Sequence, residues 1–239
     1  KKNVLKYKND CSFIKGDGFL MRITFEDVKN NETVNTYIKK ADESLIALGY
    51  TEHSFAHVTK VAHLASGILS EFGYSEREVE LAKIAGYLHD IGNVINRTDH
   101  AQSGAVMAFR ILDKIGADPE DIATIITAIG NHDESTAFPV NAVAAALILA
   151  DKTDVRYTRV RSRDMTNFDI HDRVNFAVKE SNVTYKKDEH ITLEIKIDTN
   201  ECAVMDYFEI FLNRMILCRK AADKLSAQFR LVINGQTII

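Results

Sequence analysis

The spacing of apolar residues changes along the chain and separates a long helical stretch from a short mixed tail. From about Val28 to Ser181 apolar residues recur every three or four positions, which is the period of one face of an α-helix. The first such stripe stops at Gly49 and contains Val34, Ile38, Ala41, Leu45 and Leu48. Ahead of this stretch, CSFI and FLMRI flank the turn sequence KGDG and predict a β-hairpin within residues 1–25.

Polar residues at the starts of the stripes indicate where individual helices begin. Thr51 is predicted to cap the second helix, since a side-chain oxygen can accept from a free backbone amide there. Ser75 and Glu78 match a capping box, in which each side chain bonds the backbone of the other residue. The pair Asp118-Pro119 predicts another start, because proline needs no amide partner at the first helical position.

The tail has a different pattern. Four isoleucine and leucine residues alternate with polar residues, which is typical of a half-buried strand. They are Ile191, Leu193, Ile195 and Ile197. An amphipathic helix is predicted from Val204 to about Leu225, and FRLVINGQTII then predicts two strands joined by an Asn-Gly turn.

These patterns together predict a mainly α protein. We expect an N-terminal extension with a hairpin over residues 1–25, a helical bundle over 26–181 and a small α/β C-terminal domain over 182–239. The strands of that last domain have edges that are expected either to join two copies in a homodimer or to cover the mouth of a site in the bundle.

Composition narrows the classes of protein. No window approaches the roughly 18 apolar residues that a membrane span needs. A net charge of −4 without a long basic run gives no sign of a nucleic-acid partner. Cys11, Cys202 and Cys218 are too few and too scattered for a disulfide framework, and no signal-peptide pattern opens the chain. A cytoplasmic protein is the expectation.

Ionisable residues occupy positions where the helical pattern predicts buried apolar side chains. In AGYLHDIGN, His89 and Asp90 directly follow an apolar helix, and His57 falls on the stripe that contains Val61. Further along the chain come His100, His132 and Asp151. A buried charge is costly unless it is paired or binds a metal. Several such groups on inner helix faces therefore predict that they meet around a cation.

Three local settings carry a resemblance to a known family. The ordered segments HVTKVA, LHDIG and LADKTD resemble the HD superfamily of metal-dependent phosphohydrolases over about residues 50–160. The resemblance implies that one divalent metal is bound by His57, His89, Asp90 and Asp151. It also implies that His100 and His132 are the two extra histidines of the binuclear branches, in which Asp90 bridges two metals.

The segment departs from the family pattern at two places. Members that hydrolyse cyclic di-GMP continue HDIGK and carry a later Gly-Tyr-Pro stretch, whereas this chain has Asn93 after the glycine and no such tripeptide after His132. That substrate is disfavoured. Asn131 also stands where some relatives have a second histidine, so the second metal has one ligand fewer, and water or Asp133 is left to fill the position.

The resemblance implies hydrolysis of a phosphate ester or anhydride, in a nucleotide or a related small molecule. Nitrogen and oxygen ligands without thiolate favour Mn²⁺, Fe²⁺ or Mg²⁺, one or two ions per chain. His89 and Asp90 are then the centre of catalysis, and hydroxide formed from water at the metal attacks phosphorus. No serine or cysteine nucleophile is required.

Cations near the late aspartate are candidates for binding the substrate phosphate. Lys152 and Arg156 are four residues apart, and a helix through both would place them on one face beside Asp151. Arg97 is a third candidate. The basic stretch continues with Arg159, Arg161 and Arg163, for which a solvated surface is an equal alternative.

Other features have simpler interpretations. His53 is either a cleft residue or a surface histidine at a helix start, and Asp154 is expected to support a ligand rather than to be one. The second doublet, His171-Asp172, is expected to be a polar helix face. The apolar stripe of the tail helix is expected to be core and consists of Phe208, Phe211, Leu212 and Met215.

Two alternatives to an enzyme stay open. A chain that lacks one ligand for the second metal is compatible with a non-catalytic sensor, which binds a nucleotide without turning it over. The cluster is also compatible with a structural metal site in an interaction protein.

Overall fold

The computed structural model describes residues 22–161, 168 and 170–239. The hairpin predicted around KGDG lies outside the described residues, as does Arg163. The helices run over Phe25–Lys29 (α1), Glu32–Ala47 (α2), Phe55–Glu71 (α3), Glu76–Leu88 (α4), His100–Lys114 (α5), Pro119–Gly130 (α6), Ala142–Lys152 (α7), Ile170–Ala177 (α8) and Val204–Lys224 (α9). Short 3-10 turns cover Ile91–Val94 and Tyr157–Arg159.

Most of the helix starts follow the predicted capping chemistry. Ser75 and Glu78 form the capping box of α4, and the Asp118 side chain accepts from an amide of α6 directly before Pro119. The prediction for α3 was wrong. Its cap is Ser54 rather than Thr51, because the chain stays extended for three more residues and the helix begins at Phe55.

Helix α7 is the centre of the bundle. Its sequence, AVAAALILADK, is apolar on every side until its last two residues, and all but its first residue are buried. Helices α3, α4, α6 and α9 pack around it. A helix buried on all sides carries its terminal polar residues into the interior, so Asp151 and Lys152 enter the core of the protein.

Two glycines allow the close approaches that the bundle needs. A Cβ on Gly86 of α4 would lie 2.7 Å from Ala62 Cα in α3, so only glycine lets these two helix backbones come so near. A Cβ on Gly92 would lie 2.0 Å from the carbonyl oxygen of His100. Both contacts draw His57, His89 and His100 toward one another.

The helical region ends earlier than the sequence predicts. Helix α8 stops at Ala177, and strand β1 covers Val178–Lys186, where the helical pattern had been extended to residue 181. Val174 and Val178 are four apart, which favours a helix locally, but pairing of β1 with the next strand overrides that preference. The boundary drawn at residue 182 therefore falls within β1, and the division into domains stays a prediction.

A four-stranded sheet forms the tail. Its remaining strands are His190–Ile197 (β2), Gln228–Ile233 (β3) and Gln236–Thr237 (β4), in the spatial order β1-β2-β3-β4. Strands β2 and β3 are parallel, and α9 is the crossover between them. Asn234 and Gly235 both have positive φ at the turn between β3 and β4, as the Asn-Gly signal predicted.

Helix α9 joins the sheet to the bundle. It packs against β3 on one side and against α7 on the other. Tyr207, Phe211 and Met215 are buried in this layer, whereas Leu212 of the predicted apolar stripe is 47% exposed. Among the described residues no helix combines the length and the apolar character that a membrane crossing requires. The mainly α fold with a small α/β tail agrees with the prediction.

Candidate metal centre

The residues predicted as metal ligands come together at one buried place. His57 lies on α3, His89 and Asp90 follow α4, and His100 is the first residue of α5. His132 follows α6, and Asp151 is near the end of α7. Asp151 is 9% exposed and the other five are less so. The helical period of the sequence predicted that these side chains point inward, and in the structure they point to a common centre.

Asp90 lies between two groups of side chains, and the first group surrounds its Oδ2 atom. His89 Nε2 is 3.2 Å from Asp90 Oδ2, and His57 Nε2 is 3.6 Å from the same oxygen. Asp151 Oδ1 lies 3.3 Å from His57 Nε2 and 3.7 Å from His89 Nε2. We call these four residues the first group. They are the four that the resemblance assigns to one metal.

The second group surrounds the other oxygen of Asp90. His100 Nε2 is 3.5 Å and His132 Nε2 is 4.0 Å from Asp90 Oδ1, and the two Nε2 atoms are 3.2 Å apart. Asp133 Oδ1 lies 3.9 Å from His100 Nε2, so this carboxylate is close enough to add a further oxygen. Asp90 is the residue that both groups share.

The same local hydrogen bond to the backbone orients three of the imidazoles. The Nδ1 atom of His89, His100 and His132 in each case lies within hydrogen-bonding distance of the backbone carbonyl three residues earlier, at 2.8, 3.0 and 2.6 Å. A carbonyl can only accept, so Nδ1 carries the proton and donates it. The Nε2 atom of each neutral ring then presents a lone pair to the centre, which is the state that binds metals.

The fourth imidazole is held by a carboxylate. His57 Nδ1 lies 2.8 Å from Asp154 Oδ2, and Asp154 also accepts from Lys60 Nζ at 2.7 Å and from Arg156 Nε at 3.0 Å. Burial opposes the charge on Asp154, but the hydrogen bond with His57 and the nearby Arg159 hold its pKa well below the usual range. Asp154 therefore orients a proposed ligand, as the sequence suggested.

Three atoms of the first group lack hydrogen-bond partners. The Nε2 atoms of His57 and His89 and Oδ2 of Asp90 are buried and unsatisfied. A buried polar group without a partner costs about 1–3 kcal/mol, more when it is charged. Two sets of ligand atoms lie mutually within 4.8 Å, one from His57, His89 and Asp151 and one from His89, Asp90 and His132. A divalent cation fits this donor set and would satisfy all three atoms.

The protonation states suit metal binding. Burial raises the pKa of Asp90, but the nearby imidazoles, that of His89 first, outweigh burial and hold that pKa well below the usual range. Burial and the nearby His89 lower the pKa of His132 to about 3. At neutral pH Asp90 is therefore ionised and His132 is neutral, and both are the forms that act as ligands.

A cavity of about 500 Å³ opens beside this centre. Asp90, His100 and Asp151 of the centre line it. Its cationic side chains are Arg97, Lys152, Arg159 and Arg214, and its lining also includes His53, Tyr50 and Phe211. A cleft of this size that joins a metal-binding donor set to several cations can hold a small phosphorylated molecule.

The predicted phosphate-binding residues separate into two sets. Lys152 and Arg97 line the cavity, and Lys152 Nζ lies 2.7 Å from Asp151 Oδ2. Arg156 is not among the lining residues. The shared helix face predicted for it was wrong because α7 ends at Lys152, and its guanidinium instead pairs with Asp154 and Glu52.

The rest of the basic stretch mainly supports the fold. Arg159 reaches the cavity, but its guanidinium donates to the backbone oxygens of Glu52 and Asp154. Arg161 forms an ion pair with Asp42. Arg159 is buried, which excludes the surface alternative for it, whereas Arg161 is exposed and agrees with that alternative.

Several cavity residues were not predicted to belong to the site. Arg214 and Phe211 come from α9, and Glu134 comes from the loop after α6. His171 and Asp172 of α8, which the sequence placed on a polar helix face, also line the cavity. Only the three-residue spacing of Phe211 and Arg214 hinted that they share a face, and nothing in the sequence linked that face to the HD motifs.

Comparison with known proteins identifies a domain in the helical part of the chain. The HD domain family profile matches residues 54–169, which include every residue of both groups. An uncharacterized protein of Methanocaldococcus jannaschii, MJ1020, is 26% identical over 214 residues, which are 79% of this chain and 81% of that protein. Ribonuclease Y of Opitutus terrae is 28% identical over 131 residues, 55% of this chain but only 23% of the ribonuclease.

One solved structure is also similar. It is described as a predicted HD superfamily hydrolase from an uncultured Thermotogales bacterium, with 25% sequence identity and a TM-score of 0.41, and the match covers 52% of this chain and 67% of that one. The family match and the segment order His57, His89-Asp90, Asp151 agree on the same part of the chain. Residues 54–169 of this chain are an HD domain.

Proposed function

We propose that this protein is a metal-dependent phosphohydrolase that cleaves a phosphate ester or anhydride of a nucleotide or related small molecule. The observation that carries the proposal is the arrangement around Asp90, where four imidazole Nε2 atoms and the Asp151 carboxylate surround its two oxygens. This donor set borders a cavity with cationic side chains. A purely structural metal site needs no such cavity.

The two groups would hold one divalent ion each. His57, His89, Asp151 and Asp90 Oδ2 would bind the first, and His100, His132 and Asp90 Oδ1 would bind the second, with Asp133 near enough to add an oxygen. Donors of nitrogen and oxygen without thiolate favour Mn²⁺, Fe²⁺ or Mg²⁺. Bound there, such an ion supplies a Lewis acid for the phosphoryl group and for water.

The protein side chains would bind and orient the substrate. Lys152 is buried next to Asp151, where its ammonium group can neutralise a phosphoryl oxygen. The Arg97 guanidinium lies over the Tyr50 ring, 5.6 Å from its centroid, and Arg97 Nη1 is 3.4 Å from His100 Nε2. Lys152 thus lies beside the first group of the centre and Arg97 beside the second.

Water is the favoured attacking group. Burial raises the pKa of Cys218 far above neutrality and raises that of Cys202 to about 11, so neither thiol is ionised under ordinary conditions. Neither of these cysteines lines the cavity. The anchored imidazoles cannot turn away from the centre, so the residues that hold the site stay in place while the substrate exchanges.

Turnover of defined substrates tests the proposal. Protein loaded with Mn²⁺, Fe²⁺ or Mg²⁺ is expected to hydrolyse at least one of a panel of p-nitrophenyl phosphate, nucleoside mono-, di- and triphosphates and a short RNA. The RNA is included because ribonucleases Y share the HD segment. His57→Ala should abolish turnover, whereas the matched change His63→Ala on the exposed side of α3 should leave it intact.

The alternatives predict other results. A nucleotide sensor would bind a nucleotide tightly in the presence of metal, and no member of the panel would be hydrolysed. If the metal were structural, the protein would unfold when the metal is chelated and would show no affinity for phosphate. Either result would contradict the proposal.

A further inference from the structure

A carboxylate lies between two cations inside the cavity. Glu134 Oε1 is 2.5 Å from Arg214 Nε and 3.5 Å from Lys152 Nζ. The same ammonium group lies 2.7 Å from Asp151 Oδ2 of the metal centre. All three residues line the cavity. An anionic group at the position of the Glu134 carboxylate is therefore next to the centre but separate from the two oxygens of Asp90.

These residues come from separate parts of the chain. Glu134 belongs to the loop after α6 and Lys152 ends α7, whereas Arg214 lies on α9, outside the segment matched by the HD family. The Lys152 side chain is 5% exposed, Arg214 21% and Glu134 30%. The two cations are thus shielded from solvent, and of the three the carboxylate is the most accessible.

The Arg214 guanidinium is held in position by an aromatic ring. Its carbon lies 4.7 Å from the centroid of Phe211, one turn earlier on α9, and Phe211 is itself buried. Since the ring restricts the side chain before any ligand arrives, little conformational entropy is lost on binding an anion. The planar group can bind a phosphate or carboxylate with two parallel hydrogen bonds.

Glu134 satisfies these cations incompletely. Arg214 Nε is buried and makes no hydrogen bond of acceptable geometry, although the carboxylate oxygen is close. The single oxygen Oε1 is shared between both cations. A phosphate has several oxygens, so different oxygens could bind Lys152 and Arg214 separately.

We propose that Lys152 and Arg214 bind a second anionic group of the substrate, and that Glu134 occupies this position until the substrate displaces it. The inference rests on the proposed function and deepens it, because the substrate then carries a second phosphate or a carboxylate beside the phosphoryl group at the metal centre. Glu134 thereby competes with other anions, and those that bind the two cations weakly do not displace it. Helix α9 of the tail thereby contributes to specificity.

Binding of three stable phosphonates to Mn²⁺-loaded protein, measured by calorimetry, tests this inference without turnover. Methylphosphonate has one anionic group, phosphonoacetate adds a carboxylate and methylenebisphosphonate adds a second phosphonate. Arg214→Gln should weaken binding of at least one of the two larger probes by about tenfold or more, since a charge-assisted hydrogen bond is lost, and should change methylphosphonate less than about twofold. Which probe is affected identifies the second group.

A substitution of the carboxylate should act in the opposite direction. Glu134→Gln removes the competitor and is expected to tighten binding of the affected probe severalfold. Arg219→Gln and Glu209→Gln are the matched controls, because both residues are exposed on α9 and carry the same charges. Arg214→Lys, which keeps the charge, should bind with intermediate affinity. Melting temperatures and manganese content show that each variant is folded and loaded.

Three results would overturn the inference. Arg214→Gln could behave like Arg219→Gln, it could weaken methylphosphonate as much as the larger probes, or Glu134→Gln could weaken binding. Failure of the proposed function is recognised separately, because wild-type protein would then bind phosphonates and still hydrolyse no member of the substrate panel.

Discussion

The candidate metal centre and the Lys152–Arg214 side of the cavity differ in whether their polar side chains already have partners of opposite charge. In the centre, His57 Nε2, His89 Nε2 and Asp90 Oδ2 are buried and lack hydrogen-bond partners, and a cation could satisfy all three. On the other side, both cations face the Glu134 carboxylate, so that site already holds an anion. One region therefore has the donors for a metal, and the other can exchange one anion for another.

The two regions also differ in what fixes their side chains. Each imidazole of the centre is anchored at Nδ1 by a carbonyl or by Asp154. Glu134 stands in a loop and Arg214 depends on a contact with Phe211. We therefore expect substitutions in the centre to affect metal binding and the reaction, and substitutions at the other side to affect the choice of substrate.

The largest effect is expected for Asp90, because both groups share it. Asp90→Asn removes the negative charge that both groups share and replaces one ligand oxygen with an amide nitrogen, so it should lower turnover by about a thousandfold, since metal-based stabilisation is worth several kcal/mol. Manganese content measured by mass spectrometry should fall at the same time. Asp113→Asn on the exposed face of α5 is the control. Normal metal content and turnover in Asp90→Asn would contradict the shared role.

The anchor of His57 gives the next largest effect. Asp154→Asn leaves the shape of the side chain but weakens its pairing with His57, Lys60 and Arg156. Loss of such a supporting group is expected to weaken metal binding by about 10–100-fold. Titration with Mn²⁺ measures the change. At saturating Mn²⁺ the ratio of the affinities for the larger phosphonates and for methylphosphonate should change little, and a large change in that ratio would remove the distinction between the two regions.

Stability against pH probes the burial of the centre in metal-free protein. The pKa of His132 is depressed to about 3 by burial and by nearby charges, while an unfolded histidine titrates near 6.5. The unfolded chain therefore takes up a proton first as the pH falls, so this histidine contributes stability above about pH 6.5 that is lost progressively toward pH 3. His132→Gln does not titrate and should show a flatter decline in melting temperature. An unchanged slope would show that His132 does not have this pKa.

The smallest effect is expected for the basic stretch that faces away from the cavity. Arg161 pairs with Asp42 at a partly exposed position. Arg161→Gln should lower the free energy of unfolding by about 1 kcal/mol or less and leave substrate KM unchanged. A raised KM with normal stability would show that this arginine helps to attract the substrate, and would extend the anion-binding side beyond the cavity.

The sequence predicted which side chains the structure brings together around Asp90. His57 could be placed by the phase of its helix, and His89, Asp90 and Asp151 by their positions at the ends of apolar helices. Local rules apply there because each ligand belongs to a helix whose buried face is evident. The family resemblance then supplied the order of the segments, and the structure brings the predicted residues together.

Predictions from local sequence patterns failed where contacts between distant parts of the chain determine the structure. Arg156 was placed beside Lys152 on one helix face, but the helix ends between them, at a position that no strong stop signal marks. Residues 178–181, the first four of β1, were predicted as helix because the pairing of β1 with β2 has no local signature. Arg214 could not be linked to the centre, because more than sixty residues separate it from Asp151 and only the packing of α9 on α7 brings the two together.

The position of bound manganese tests the central claim most directly. Anomalous diffraction from crystals grown with Mn²⁺ should show ions beside Asp90, one contacted by Oδ2 together with His57, His89 and Asp151, and one contacted by Oδ1 together with His100 and His132. Crystals saturated with Mn²⁺ that show no ion within bonding distance of Asp90 would contradict the account.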